Sequence, residues 1–298
     1  MNTLGQLVKH ASDKSKFSTI KDYINFCREY LSFAVDGLQA VIVSRNENHY
    51  RFYQYKEDGN YNITRPINSN IMVSADNFDK MLESFGYAMA HIKEITEPSD
   101  RDCLNRIVYT CQQAIGATLD ALPAGKSNTA RKVNGDLFER FIQLILTEIG
   151  ISVSSGTVYA PVVVDDVSLF NMSYQQDIIV KEGDELLAVG SVKTSSKDRL
   201  GKIFIDKFLH NKLTGKDTPH FAVFLNDVQR AGKEPKYGVN GTFLTGHFKG
   251  STIKLNPLDG VYYCDLRPSM KTDGILKKHI KTLDHLLVED IWRFQSVR

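Results

Sequence analysis

No stretch of eighteen apolar residues occurs in the chain, so no segment is built to cross a bilayer as a helix. The start, Met1-Asn2-Thr3-Leu4-Gly5-Gln6, has neither the basic nor the apolar part of a secretory signal. The expectation is a soluble cytoplasmic protein without a membrane partner. Cysteine is scarce. Cys27, Cys103, Cys111 and Cys264 show neither the spacing of metal ligands nor that of a disulfide framework, and read as reduced, buried thiols. The eight histidines form no HExxH pair or close cluster, and His210 and His247 stand alone, which argues against a zinc hydrolase. A phosphate-binding loop is also missing. Gly125-Lys126-Ser127 ends like one, but Asp120 stands where its first glycine belongs and Pro123 interrupts it. Nor is there an excess of charge: 37 Lys and Arg against 35 Asp and Glu leave a net +2, which gives no general argument for a nucleic-acid partner.

At 42% hydrophobic over 298 residues, the chain can bury a substantial core, as one large domain or a core with a helical extension. Apolar residues recur at three- and four-residue spacing over Asp22 to Phe33, Asn77 to Ile95 and Asp102 to Leu119, which predicts helices. Leu38 to Val43 and Tyr50 to Tyr55 suit strands between them. The division read from this is a mostly helical region over 1–122 and a second region over 123–298. The rings of Tyr50-Arg51-Phe52-Tyr53-Gln54-Tyr55 are core residues or a platform for bases.

The chemistry is concentrated between Gln176 and Lys193. Two strands meet there at a tight turn, Gly183-Asp184. On the second strand, period-two alternation puts Val189, Ser191 and Lys193 on one face. Folding back brings Asp177 opposite Gly190 or Ser191, so its carboxylate and the Lys193 amine share a site if they lie on the same face. A carboxylate that anchors a divalent ion, beside an ammonium that steadies a hydroxide or a phosphate oxygen, is what phosphodiester hydrolysis requires. A surface hairpin with solvated charges has the same composition.

Beyond Lys193 the pattern becomes more specific. Lys197-Asp198-Arg199 stands four to six residues past the lysine, and Asp206 thirteen past it. With Ser191 two residues before the lysine, these positions resemble the CCGG family of Type II restriction endonucleases, a branch of the PD-(D/E)XK superfamily. In that family serine replaces the motif acid, a displaced acid on the following helix takes over its role, and a basic-acidic-basic triplet reads bases. The chain departs from the family in having Lys197 rather than arginine first, and aspartate rather than glutamate at Asp198 and Asp206. The triplet suits adjacent C·G pairs on chemical grounds too, since arginine and lysine donate to guanine O6 and N7 and a carboxylate accepts from cytosine N4. A helix-start cap by Asp198 is the alternative role for the segment.

The resemblance, which runs from about Asn128 to Met270, implies an α/β PD-(D/E)XK fold with a central mixed sheet of about five strands flanked by helices. It implies Mg²⁺ held by Asp177, Asp206 and Glu139, with Lys193 completing the catalytic set. Glu139 lies in Asn134-Gly135-Asp136-Leu137-Phe138-Glu139, on a helix whose stripe is Leu137, Phe138, Phe141, Ile142, Ile145 and Ile149; Asp136 and Glu148 are its rivals. Phe221 to Arg230 reads as a buried strand that delivers Gln229 and Arg230 to DNA at its end. The partner implied is double-stranded DNA cut by a homodimer at a palindromic site with CC and GG halves, of the CCNGG type, with the central base flipped out of the stack. From Ser191 to Lys216 seven Lys and Arg face two acids, a local excess suited to phosphates. A structure-selective or repair nuclease, or a non-catalytic DNA-binding protein, remains the alternative.

Overall fold

Helices open the chain because local capping and apolar spacing agree there. Thr3 and Gln6 form a reciprocal capping box before α1 (Leu4–Ser12), and Thr19 and Asp22 form another before α2 (Ile20–Gly37). The computed structural model describes residues 3–57, 62–232 and 236–296. After α2 come β1 (Leu38–Val43), β2 (Tyr50–Tyr55), β3 (Ile67–Asn68), α3 (Ala75–Ala90), α4 (Pro98–Leu119) and α5 (Ser127–Glu148). Next are β4 (Val153–Val164), β5 (Val167–Glu182), β6 (Glu185–Ser195), α6 (Leu200–Thr214), β7 (His220–Asn226), β8 (Val228–Ala231) and β9 (Gly238–Gly241). Then α7 (Thr245–Lys254), β10 (Gly260–Tyr263), α8 (Pro268–Thr272), α9 (Leu276–His279) and β11 (Ile280–Thr282) lead into helical turns over 283–296. No helix among the described residues is long and apolar enough to cross a membrane.

Two compact units result, Met1–Leu144 with Val228–Gly241, and Ile145–Asp227 with Thr242–Arg298. In the first, α4 is buried on every side from Cys103 to Leu119, so it forms the axis against which α1, α2 and α3 pack. An antiparallel sheet, β1-β2-β3, stands beside it. Tyr50, Phe52 and Tyr55 are fully enclosed, and Tyr50 and Phe52 share a core with Ile63, Val228 and Val239; they are core rings and not a base platform. Arg65 grips Asp120 through two bonds of 2.9 and 2.8 Å, so Asp120 is a structural anion.

The second unit is built on a six-stranded mixed sheet in the order β11-β10-β7-β6-β5-β4, one strand more than expected. Strands β6, β7, β10 and β11 run parallel, whereas β4 and β5 are antiparallel additions. Ile203 and Phe204 of α6 and Phe248 of α7 pack with Ala222 and Phe224 on one face. On the other, Phe221 stacks on Phe294. Gly190, the neighbour of Phe221 across the ladder, leaves room for that ring; a Cβ there would stand 2.4 Å from it.

Two buried histidines join α6 to the sheet. The rings of His210 and His220 lie 5.4 Å apart, and His220 donates from Nδ1 to the Thr218 carbonyl at 2.8 Å. Burial, helped by the nearby His210 and by Lys207, pulls the His220 pKa down to about 3, and burial lowers that of His210 as well. The unfolded chain takes up a proton near pH 6.5 that the folded chain refuses, so stability falls as pH drops from about 6.5 towards 3. We expect denaturant melts to lose about 1–3 kcal/mol through His220 between pH 7 and pH 4. His220→Asn, which keeps a donor but does not titrate, should flatten that part of the profile. An unchanged slope in this variant would show that the acid sensitivity arises elsewhere.

Candidate active site

The hairpin read from the sequence forms as expected. Glu182 faces Glu185 across Gly183-Asp184, and Gly183 takes the left-handed φ of +60° that the turn needs. From there β5 and β6 pair up to Ile178 opposite Gly190, and no further. Beyond that point β6 keeps β7 as its partner while β5 continues with β4 alone. The strands part at Asp177.

The divergence has a local cause. On β4, Ser154 pairs with Ile179 and Gly156 with Gln176, so Asp177 and Ile178 together stand opposite the single residue Ser155. This is a β-bulge, an irregularity that bends the strand and re-aims a side chain. The Asp177 carboxylate turns onto β6, where its Oδ2 accepts from the Val192 backbone N–H at 2.8 Å and from Lys193 Nζ at 2.5 Å. The side chain thus takes over the hydrogen bond that a continuing strand would have supplied to Val192, and leaves no buried donor orphaned. Sequence reading identified the acid and the lysine but not the Val192 amide; Gly156, a glycine inside a strand at φ +147°, was the available sign of the bulge.

The ladder also decides which face carries the site. Ser191 pairs with Ala222 and Lys193 with Phe224, and paired residues share a face. Ala222 and Phe224 belong to the core that α6 covers, so Asp177, Ser191 and Lys193 lie on the α6 side. Past the bulge the alternation is reversed, which turns Tyr174 to the same side: its ring meets His210 edge-on at 5.9 Å. Burial, and then the charge of Asp206, raise the Tyr174 pKa. Asp206 therefore sits on the helix that covers the sheet face of Asp177 and Lys193, one turn before His210. It is ion-paired with Lys202, and its side chain is mostly buried. Ser191 is half-buried in the row between Val189 and Lys193.

Lys197, Asp198 and Arg199 are all exposed, in the loop that enters α6. Asp198 does not cap the helix. Arg199 holds the cap position without a side-chain cap bond, and Asp198 adopts a left-handed backbone with φ +55°. Aspartate tolerates that region better than most residues, but at a cost that local capping does not offset here. Of the seven cations counted between Ser191 and Lys216, Lys207 is not available to a phosphate: it is buried, with bonds of 2.9 Å to the Pro257 carbonyl and 2.8 Å to Asp259.

Other residues lie in the first unit. Glu139 is half-buried on α5, whose stripe from Leu137 to Ile142 is enclosed as expected. Asp136, its rival, pairs with Lys14 at 2.7 Å. Gln229 and Arg230 do not end the central strand, because the chain breaks at Asp227. The Asp227 carbonyl accepts from the Thr242 N–H and hydroxyl, and its carboxylate lies 3.8 Å from Arg267. The residues that follow form β8, paired with β9, where Arg230 donates to the Ile63 carbonyl at 3.0 Å.

Among the described residues no three His, Cys, Asp or Glu side chains stand together as a ready-made metal cluster. The donors still fit a hard divalent ion. Asp177 and Asp206 offer carboxylate oxygens, the donor type that Mg²⁺ takes.

The mixed sheet with an antiparallel pair at one edge and helices on both faces matches the fold of a restriction endonuclease. The chain is similar to the crystal structure of the Type IIP restriction endonuclease Kpn2I, with a TM-score of 0.73 over 99% of this chain and 98% of that one, at 18% identity. The restriction endonuclease PspGI, in a complex with its substrate DNA, is more distant, with a TM-score of 0.43 over 72% of this chain and 91% of that one at 11% identity. No protein-family model matches the sequence, and no curated protein does. At these identities the likeness is one of fold.

Proposed function

We propose that the chain is a Type II restriction endonuclease that hydrolyses double-stranded DNA at a specific site with Mg²⁺. The observation that carries this is the bulge at Asp177, which aims a carboxylate at Lys193 on the face covered by the helix of Asp206. A fold that only bound DNA would have no use for the bulge, which interrupts the ladder at the acid-lysine pair. Asp177 and Asp206 would hold the ion, and the resemblance alone supports Glu139 as a further ligand and Gln229 and Arg230 as DNA contacts. Bound there, Mg²⁺ supplies a polarised phosphate and an acidified water. Lys193 holds its positive charge at the attacked phosphate, and Asp177 fixes the lysine in place.

The exposed triplet is the reader in this proposal. Asp198, held in a costly backbone state without a capping role, accepts from a cytosine amine, and Arg199 donates in a fork to guanine. The spacing of the triplet from Lys193 favours CC and GG halves around a central base flipped from the stack, cut by a homodimer whose two-fold axis matches the palindrome. The region over 1–122 would serve DNA binding or dimerisation. Incubating a mixed-sequence plasmid with the protein and Mg²⁺ and sequencing the ends tests the reading. Discrete fragments with CC/GG half-sites are expected. Random degradation would favour a structure-selective nuclease, and no cleavage a binding protein. Arg199→Ala should lose about 1–3 kcal/mol of discrimination at one guanine. Fragment ends unchanged in this variant would remove the triplet from recognition.

A further inference from the structure

Strand β5 is 16 residues long and β4 is 12, but β6 accompanies β5 only from Ile178 onward. The rest of the pair, from Val158 opposite Tyr174 to Val164 opposite Val167, is a two-stranded ribbon running out from the sheet. A ribbon with one pairing is marginal in water unless its face is covered. Ala160 and Tyr174 are buried at its root, but Tyr159, Val163, Val164, Val167, Leu169 and Phe170 are each between 50% and 64% exposed. The ladder puts Tyr159 and Val163 on one face and Val164, Val167 and Phe170 on the other, where the three offer on the order of 300 Å² of surface, the size of a patch that a monomer leaves uncovered when it has a use.

The turn at the end is Asp165-Asp166, with φ of +47° and +61°. Both central residues left-handed is the tight turn that matches strand twist, so the ribbon is a preformed arm rather than a loop that must be ordered on contact. Its chemistry excludes the partner already proposed. Residues 153–180 contain no lysine or arginine, and the two aspartates at the tip repel phosphates, whether of a duplex or of an anionic membrane. Pro161 lacks a backbone donor, which makes the β4 edge of the arm a poor template for a further strand.

We propose that the arm docks on the outer side of α6 in a second copy of this chain. That surface is the complement of the arm tip: Ile205 and Phe208 are 53% and 41% exposed on the side of α6 turned away from its buried face, and the exposed Lys212 follows one turn later. Apolar side chains meet apolar ones, and the lysine meets Asp165 and Asp166. By two-fold symmetry each copy gives one arm and one helix, so the contact is made twice. The contact supplies the dimer required by the proposed cleavage of two strands and rests on that reading only for its purpose. It also braces, from the partner, the helix that carries Asp206.

Sedimentation of the full chain without DNA tests it. The wild type should be a dimer at roughly 10 µM, and Phe170→Asp and Phe208→Asp should each weaken the dimer about 100-fold, without loss of helical signal or melting temperature. Asp165→Lys with Asp166→Lys should weaken it about tenfold, and adding Lys212→Glu should restore most of the loss. A monomeric wild type, dimers unaffected by both phenylalanine changes, or charge swaps that fail to compensate would overturn the proposal, as would variants that lose DNA affinity with assembly unchanged. A chain that dimerises through the arm but cuts no plasmid would sink the nuclease reading and leave this one standing.

Discussion

Lys193→Ala and Asp177→Asn should each slow strand cleavage about a thousand-fold or more, a loss of some 4 kcal/mol in the transition state, while binding of DNA with Ca²⁺ survives in the lysine variant. The two differ in what else they disturb. Removing the lysine leaves the bond of Asp177 to Val192 in place, so folding should be untouched. Asparagine keeps an oxygen for the Val192 amide, whereas Asp177→Ala would strand that donor at a further cost of about 1–3 kcal/mol in stability. Single-turnover cleavage with thermal melts separates the effects. If either variant cut at near the wild-type rate, the bulge would have no catalytic meaning and the site would have to lie elsewhere.

The second large effect is expected at Asp206. Asp206→Asn should lose at least about a hundred-fold in cleavage, because one of the two acids on facing elements would no longer carry charge, while Ser191→Ala should stay within about threefold. Aspartate is a methylene shorter than the family's glutamate, so a water would have to bridge to the ion or the helix draw in. Mg²⁺ titrations of the rate should show the half-saturating concentration rise in the Asp206 variant. The reverse ranking, with Ser191 essential and Asp206 dispensable, would overturn the displaced-acid assignment.

Much of this site was legible because its determinants are local. The turn at Gly183-Asp184 and the alternation around Ser191 place Asp177 and Lys193 together without knowledge of any other strand. The bounds of β1 and β2 were equally plain, since aromatic and β-branched runs leave few alternatives. The bulge was not legible in the hairpin itself, because it is a property of register against β4, which pairs from the other side. The same is true of Lys207: its spacing on α6 is that of a surface cation, and only the approach of Asp259 from a distant loop makes it a buried one. The break at Asp227 escaped for a related reason. The apolar run to Leu225 promises a strand that continues, and the clamp that ends it comes from Thr242.

Helix α6 holds the two proposed activities in one rigid body. It starts at the triplet, carries Asp206 along its length, and is pinned by Lys207 to Asp259 and by His210 against His220. Each residue on such a rod is set off from the next by about 100° of rotation. Adding or deleting one residue before Leu200 therefore has two outcomes: either the pins hold and the loop absorbs the change, which moves the triplet alone, or the helix turns and carries Asp206 off its face. Exchanging side chains of the triplet at fixed length leaves Asp206 where it is, whereas a change in loop length does so only if the pins at Lys207 and His210 outlast it.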